Sequence, residues 1–184
     1  NGKFIALLEN ENNVKKINII NAKSYKKVNV FEQESNEQVS ISDYSWIDNN
    51  TILVEVFVRG RGNAIFTVNL AFKDGEIKAI DNKYVTVGIY LENALVDQKS
   101  SFIAERWSDG KSSLFKVDLS EGKAESQVKR RYSLNKDGPE AKEWLSDGNG
   151  SPVIGYGTDK ESKENKVWVK NESGKWELVW KGDK

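Results

Sequence analysis

The sequence predicts an all-β protein, and three features of the chain support this fold class. Short runs of alternating apolar and polar residues follow one another along the 184 residues, as half-buried strands require. Turns rich in Gly, Asn and Asp separate these runs, whereas Pro occurs only 2 times. Trp46, Leu95 and Trp144 each precede a turn with an Asp, and they lie about 49 residues apart, a period typical of four-stranded blades. We therefore expect a β-propeller fragment of about four antiparallel blades.

The predicted blades form a single propeller segment over residues 1–184, with units at about 1–38, 39–83, 84–135 and 136–184. The expected strands of the first two units are Phe4–Leu8, Val14–Ile20 and Lys26–Phe31, then Val39–Trp46, Thr51–Val58, Ala64–Leu70 and Glu76–Ile80. Those of the last two are a strand within Val85–Leu95, then Ser101–Trp107, Ser113–Leu119 and Ala124–Tyr132, then Pro139–Leu145, Pro152–Tyr156, Lys166–Lys170 and Lys175–Trp180. Thr51–Val58 is apolar at nearly every position, which predicts burial on both faces.

The first unit lacks the innermost strand that the other three units have. A turn, Asn1-Gly2-Lys3, occupies the place where this strand would end, so the strand that begins at Phe4 is expected to have an unpaired edge. Two explanations are open: a strand from elsewhere closes the ring, or the chain is a piece of a longer propeller. The second is favoured, because no spare strand follows Trp180. The unpaired edge also predicts an edge-to-edge homodimer.

Composition restricts the functions that the chain can perform. Lys plus Arg number 28 and Asp plus Glu number 28, so the balanced charge favours neither nucleic acid nor an anionic membrane as partner. No apolar run approaches the length of a membrane span. The chain has no His and no Cys, which excludes Ser-His-Asp and Cys-His catalysis and thiolate metal sites. We expect no cofactor and no metal, and no catalytic residue in this chain.

A hairpin with two arginines is the first candidate contact site. Arg59 and Arg61 flank Gly60 between two predicted strands, where guanidinium groups could grip a carboxylate or phosphate in bidentate fashion. The alternative is a glycine-shaped turn with solvated arginines. Glu55 is a carboxylate inside the apolar strand Thr51–Val58, and in a propeller it could face the central channel. We name Arg59, Arg61 and Glu55 as possible contacts for a peptide or partner.

Other polar and aromatic groups are expected to be structural. The basic run Lys129–Arg131 is interpreted as charge that protects an edge strand. The aromatic cluster of Trp168, Trp176 and Trp180 is expected to pack between blades and to leave an exposed patch if its neighbour is missing. Trp46 and Trp144 are expected to pack at equivalent blade positions, with Leu95 in the same position of the third blade. The turn carboxylates Asp48, Asp97, Asp109 and Asp147 are expected to cap their own backbone, and none has calcium-loop spacing.

Three segments of the chain carry a shared blade pattern. They are Asn1-Gly2-Lys3-Phe4-Ile5-Ala6-Leu7-Leu8, Ser45-Trp46-Ile47-Asp48-Asn49-Asn50-Thr51-Ile52-Leu53-Val54 and Glu143-Trp144-Leu145-Ser146-Asp147-Gly148-Asn149-Gly150. The first resembles a blade opening, and the other two resemble blade junctions, of the N-terminal propeller of the prolyl oligopeptidase family of serine peptidases. TolB-like propellers share these blade patterns. The resemblance implies a propeller that covers an α/β-hydrolase domain in the same parent chain and admits only short peptides. This chain lacks the hydrolase's Gly-x-Ser-x-Gly elbow, so no catalytic residue is carried over.

The expected function is thus a non-catalytic, substrate-filtering part of such a peptidase. Because the chain contains no Met and opens without a leader, it is expected to be a mature product or an excised piece. The alternative is a stand-alone TolB-like or WD-like propeller that binds a protein partner. A third class is a propeller glycosidase, which needs two inward-facing carboxylates. The resemblance weakly favours a periplasmic or secreted location, because bacterial members of the family are often exported.

Overall fold

The computed structural model describes residues 2–95, 100–108, 111–120, 127, 133–159 and 161–182. Across these residues the protein is all-β, with strands in four antiparallel sheets whose strands follow chain order. This confirms the predicted class and the antiparallel pairing. The chain divides into two compact units, Asn1–Tyr90 and Leu91–Lys184. Within the described ranges, no helix has the length and apolar character needed to cross a membrane.

The first unit contains a three-stranded and a four-stranded sheet. Their strands are β1 (Phe4–Glu11), β2 (Val14–Asn21) and β3 (Lys27–Glu34), followed by β4 (Val39–Trp46), β5 (Thr51–Val58), β6 (Gly62–Lys73) and β7 (Glu76–Val87). The predicted hairpins are confirmed by turn geometry. Asn12 and Asn13 have φ of 52° and 63°, and Asp74 and Gly75 have φ of 54° and 76°. Two successive positive φ angles twist a two-residue turn in the same sense as the strands that it joins.

The apolar faces of these two sheets form the core of the first unit. Its buried members are Ile17, Ile19, Val30, Phe31, Ile41, Ile52, Val54, Val56, Val68 and Leu70. In β5 the residues from Ile52 to Val56 are all buried, so the predicted burial of this strand on both faces is confirmed. Because side chains alternate along a strand, β5 lies between two layers of side chains.

The second unit repeats this plan with shorter strands. They are β8 (Tyr90–Asn93), which begins at the boundary, β9 (Ser101–Ser108) and β10 (Lys111–Asp118), then β11 (Glu143–Ser146), β12 (Pro152–Thr158), β13 (Asn165–Lys170) and β14 (Trp176–Gly182). The buried core contains Leu95, Ile103, Leu114, Ala141 and Trp144. Trp168 and Trp176 pack against this core rather than against a following blade, whereas Trp180 is 48% exposed.

Two predicted strands are divided or shortened in the structure. The strand within Val85–Leu95 is divided, because β7 pairs with the long β6 as far as Val87 and Gly88 then turns the chain with φ of 77°. The predicted strand Pro139–Leu145 begins only at Glu143, because a tight turn joins the Ala141 amide to the Pro139 carbonyl over 2.8 Å. The predicted strand Ala124–Tyr132 lies outside the described residues except for Gln127, which is not in a strand.

The two tryptophans of the repeated signature are packed but not equivalent. Trp46 is half-buried against the first core, and Trp144 is buried in the second. In the turn after β4, the Ile47 amide donates a hydrogen bond to the Thr51 carbonyl. In the turn after β11, the Asp147 amide donates to the Ser151 carbonyl. Trp46 therefore lies one residue before its turn and Trp144 three residues before. The expectation of equivalent positions is wrong for the pairing register, because Trp46 pairs with Ile52 in the last pair of its ladder, whereas Trp144 pairs with Gly155 two pairs before the end.

Candidate ligand-binding cleft

The second unit contains a cleft of about 530 Å³ beside the outer edge of β10. One wall comes from the end of β9 and the start of β10, where Arg106 and Lys111 lie. The other wall is the segment from Ser133 to Ala141, which leads into β11. Phe115 and Trp144, both buried, supply apolar surface. The cleft thus combines a polar rim with an aromatic floor, which is the usual composition of a small-ligand site.

Asn135 attaches the Ser133–Ala141 segment to β10. Its side-chain Nδ2 donates to the Ser112 carbonyl over 3.0 Å, and its Oδ1 accepts from the Leu114 amide over 3.1 Å. The Leu134 amide adds a third bond, to the Leu114 carbonyl over 2.8 Å. The amide side chain therefore satisfies the backbone groups of an edge strand as a neighbouring strand would. This attachment fixes the wall of the cleft.

Trp144 forms the floor because two glycines leave room for its ring. A Cβ atom on Gly138 would lie 2.6 Å from the Trp144 Cη2 atom, and one on Gly155 would lie 3.1 Å from its Cζ3 atom. The ring also meets Trp176 edge to face, with 5.1 Å between centroids. Its buried Nε1 has no hydrogen-bond acceptor among the described residues. A ligand group that reached this nitrogen would remove the cost of a buried unpaired donor.

The charges at the cleft are mainly positive. Arg106, Lys111 and Lys136 line it, and Glu140 is the acidic residue among its described lining residues. Lys111 and Glu140 form an ion pair between exposed side chains at the rim. Among the described lining residues, cations thus outnumber carboxylates three to one. In a concave site such an excess attracts anionic groups more strongly than on a flat surface.

A second cleft of about 410 Å³ shares Lys111, Glu140 and Ala141 with the first. Its charges are balanced, because three lysines face Glu140, Asp159 and Glu161. Lys166 donates a hydrogen bond of 2.6 Å to the Asp159 carboxylate, and the backbone amides of Ser162 and Glu161 donate to it as well. These bonds, that from Lys166 most of all, hold the pKa of Asp159 well below its usual range. Asp159 therefore stays ionised and orders its own loop, so this second cleft has less electrostatic preference for an anion.

The predicted contact residues lie in the first unit, outside both clefts. Arg59 and Arg61 are exposed at the turn between β5 and β6, and within the described ranges neither guanidinium makes an ion pair. Gly60 provides the turn with φ of 76°, and the Arg61 amide donates to the Val58 carbonyl over 3.0 Å. Their role as a grip for an anionic group stays a prediction.

Glu55 is 6% exposed, and its carboxylate accepts a hydrogen bond from the Asn63 side chain. The Ser42 hydroxyl donates to the Glu55 carbonyl over 3.1 Å. These contacts lie within one sheet, among β4, β5 and β6. They account for a carboxylate in an apolar strand, since a buried charge needs hydrogen-bond donors.

The turn aspartates act as expected where the structure describes them. Asp48 accepts the Asn50 amide over 2.7 Å, and Asp147 accepts the amides of Asn149 and Ser151 over 2.9 and 2.8 Å. Asp97, Asp109 and the basic run Lys129–Arg131 lie outside the described residues. Within the described part of the chain, no group of three acidic residues converges as a metal site would require.

The sequence analysis did not single out the cleft residues. Arg106, Lys111 and Lys136 are spread over thirty residues and match no motif. One sequence feature could have pointed to the wall of the cleft. The Asn, Gly and Pro residues of Ser133-Leu134-Asn135-Lys136-Asp137-Gly138-Pro139 are typical of an irregular connection between strands. The interpretation of Pro139–Leu145 as a strand concealed this connection.

Neither a protein-family model nor a curated protein matches this chain. The resemblance to prolyl oligopeptidase propellers therefore stays a prediction. The class that the fold and the cleft define is an all-β protein with a cationic, aromatic-floored cleft.

Proposed function

We propose that this chain is a non-catalytic binding module whose cleft takes an extended peptide with an acidic side chain or a free carboxylate. The observation that supports the proposal most directly is that Arg106, Lys111 and Lys136 line the cleft above the aromatic floor, with Glu140 as the acidic residue among the described lining residues. A guanidinium and an ammonium favour a carboxylate, and the aromatic floor favours an adjacent apolar side chain. An acidic peptide offers both chemistries.

The larger architecture in this proposal is a β-propeller segment. Four antiparallel sheets, each a meander in chain order, support radial stacking of blades, because this connectivity is the one that propellers use. Small-angle X-ray scattering of the chain tests it. A profile that fits radially stacked sheets supports the propeller, whereas an extended two-lobed profile contradicts it.

Binding of short peptides tests the proposed function. The probes are blocked peptides with one Phe and one Glu, compared with the same peptides in which Gln replaces Glu. We expect isothermal titration to give at least about tenfold weaker binding for the Gln peptide, because a charged hydrogen bond contributes about 1.5–3 kcal/mol. Binding of the Glu peptide should also weaken as salt is added.

Two lysine variants provide the matched comparison. Lys136→Ala removes a cation that lines only the first cleft, and Lys142→Ala removes one that lines only the second. We expect Lys136→Ala to weaken the Glu peptide several-fold and Lys142→Ala to leave it unchanged. Equal binding of Glu and Gln peptides, or equal effects of both variants, would overturn the assignment to this cleft.

A second proposal is the substrate-filtering part of a prolyl-oligopeptidase-like peptidase. It is supported by the order of the four sheets along the chain and by the blade-like segments around Trp46 and Trp144. The parent coding sequence tests it. A downstream Gly-x-Ser-x-Gly elbow followed by Asp and His supports this role, and a stop codon shortly after Lys184 contradicts it.

A further inference from the structure

We propose that the outer edge of β1 pairs antiparallel with the β1 edge of a second copy of this chain. In the first sheet, whose order is β1-β2-β3, the described strands leave β1 with one open side. An edge with free backbone donors and acceptors is a template for a further strand. The inference does not depend on the cleft, which lies in the other unit.

Hydrogen-bond parity identifies the backbone groups on this open side. The Ala22 amide donates to the Lys3 carbonyl over 2.8 Å, in line with the register that places Ile5 opposite Ile20. In an antiparallel ladder, residue pairs that exchange backbone hydrogen bonds alternate with pairs that do not. Because Lys3 belongs to a hydrogen-bonded pair, the odd-numbered residues of β1 direct their backbone groups toward β2. The backbone groups of Ala6 and Leu8 consequently point away from β2.

The side chains of β1 also lack the usual protection of an edge. Ile5 and Leu7 are 56% and 39% exposed, and no charged residue occurs from Phe4 to Leu8. By contrast, the edge strand β7 carries Lys78, Asp81 and Lys83. Charged side chains on an edge oppose strand addition, and an uncharged apolar edge favours it.

Charge complementarity selects a second copy as the occupant. The strand β1 follows a basic residue, Lys3, and ends with acidic residues, Glu9 and Glu11. An antiparallel copy places the basic end of each strand against the acidic end of the other. A two-fold axis at Ala6 sets Ile5 opposite Leu7 and Lys3 opposite Glu9. Glu9 also pairs with Lys27 of its own chain over 3.0 Å, so Lys3 of the second copy would join an existing ion pair.

One contact already uses this edge. The Tyr44 hydroxyl donates to the Ala6 carbonyl over 3.1 Å from the neighbouring sheet. A carbonyl oxygen has two lone pairs, so it accepts the Tyr44 hydroxyl and an amide of the second copy together.

Sedimentation velocity over a wide concentration range tests the dimer. Ile5→Lys adds a charge to the open edge, and Ile80→Lys adds the same charge at an exposed position of the edge strand β7. We expect the unmodified chain to dimerise, Ile5→Lys to raise the dimer dissociation constant by about tenfold or more, and Ile80→Lys to leave it unchanged.

Cysteine pairing tests the register, because the chain has no Cys of its own. Ile5→Cys and Leu7→Cys are prepared separately, mixed and oxidised. We expect a disulfide-linked dimer from the mixture and much less from either variant alone, since opposite residues of a non-bonded pair lie about 4.5 Å apart at Cα, whereas diagonal ones lie about 7–8 Å apart.

A monomer at all concentrations would overturn the proposal. A dimer that resists Ile5→Lys but dissociates with Trp180→Lys would also overturn it, because the contact would then involve the exposed Trp180 of β14. Loss of peptide binding with the dimer intact would concern the cleft alone, so the two proposals fail in distinguishable ways.

Discussion

Asn135 is the residue on which the described wall of the cleft depends. It is 8% exposed, and it pairs with both the Ser112 carbonyl and the Leu114 amide of β10. Gln127 does the same at the other end of this strand, where its side chain exchanges two hydrogen bonds of 2.8 Å with the Asp118 backbone. Amide side chains have one donor and one acceptor side, so they can replace a peptide group at a strand edge.

Asn135→Ala should therefore lower the free energy of unfolding by about 1–3 kcal/mol, because it leaves buried backbone groups of β10 without partners. Urea unfolding followed by circular dichroism measures this change. Lys136→Ala, at the exposed neighbouring position, should alter the free energy by no more than about 0.5 kcal/mol. A midpoint for Asn135→Ala equal to that of the unmodified protein would contradict the edge-replacement role.

Asp159 gives a pH-dependent prediction. The hydrogen bond from Lys166 and the loop amides of Ser162 and Glu161 lower its pKa from the ordinary value of 3.8, so its ionised form stabilises the folded state. This stabilisation is fully present above that ordinary value and is lost as the pH falls towards the lower pKa of the folded protein. Asp159→Asn should thus reduce Tm at neutral pH, and the difference between the two proteins should shrink in acid below roughly pH 4. A Tm difference that stays constant into strong acid would be incompatible with this cause.

At the scale of elements, hairpins were predictable and irregular connections were not. The sequence determines the bounds of β4 and β5 and the turns at Asn12-Asn13 and Asp74-Gly75, because alternation and turn residues are local signals. The unpredicted features depend on distant partners. Strand β7 continues to Val87 because β6 is long enough to pair with it.

The cleft was not predictable for the same reason. Its wall depends on Asn135 meeting β10 about twenty residues earlier, which no local pattern encodes. The predicted contacts Arg59 and Arg61 stand out in the sequence because two arginines flank a glycine. Cleft residues such as Arg106 and Lys136 stand out only once the sheets bring them together.

Glycine spacing around Trp144 provides a prediction for the packing of β11. Gly138→Ala places a methyl group against the buried indole ring, so we expect a loss of about 1–3 kcal/mol in the free energy of unfolding and a changed near-ultraviolet circular dichroism spectrum. Gly148→Ala is the control, because a Cβ there meets no atom within 4 Å. The control should leave stability unchanged or raise it by up to about 1 kcal/mol. Equal effects of the two substitutions would show that the ring can move aside.

At the scale of the whole molecule, a net charge of zero conceals local asymmetry. Among the described lining residues of the cleft in the second unit, cations outnumber carboxylates, whereas the open edge of β1 in the first unit is apolar with charged ends. The two surfaces suit different partners, a carboxylate-bearing peptide and a second copy. Because each unit has a core of its own, the two surfaces can be supported by separately stable parts.

Separate cores predict separate stability, which hydrogen exchange with mass spectrometry can measure. Ile52→Ala removes a fully buried side chain from the first core, and Ile103→Ala removes one from the second. Each substitution should cost about 2–5 kcal/mol within its own unit. We expect Ile52→Ala to reduce amide protection from β1 to β7 and to leave β11 to β14 protected, and Ile103→Ala to do the reverse, since cooperative units open independently. Loss of protection throughout the chain with either variant would show a single cooperative unit and would contradict the prediction.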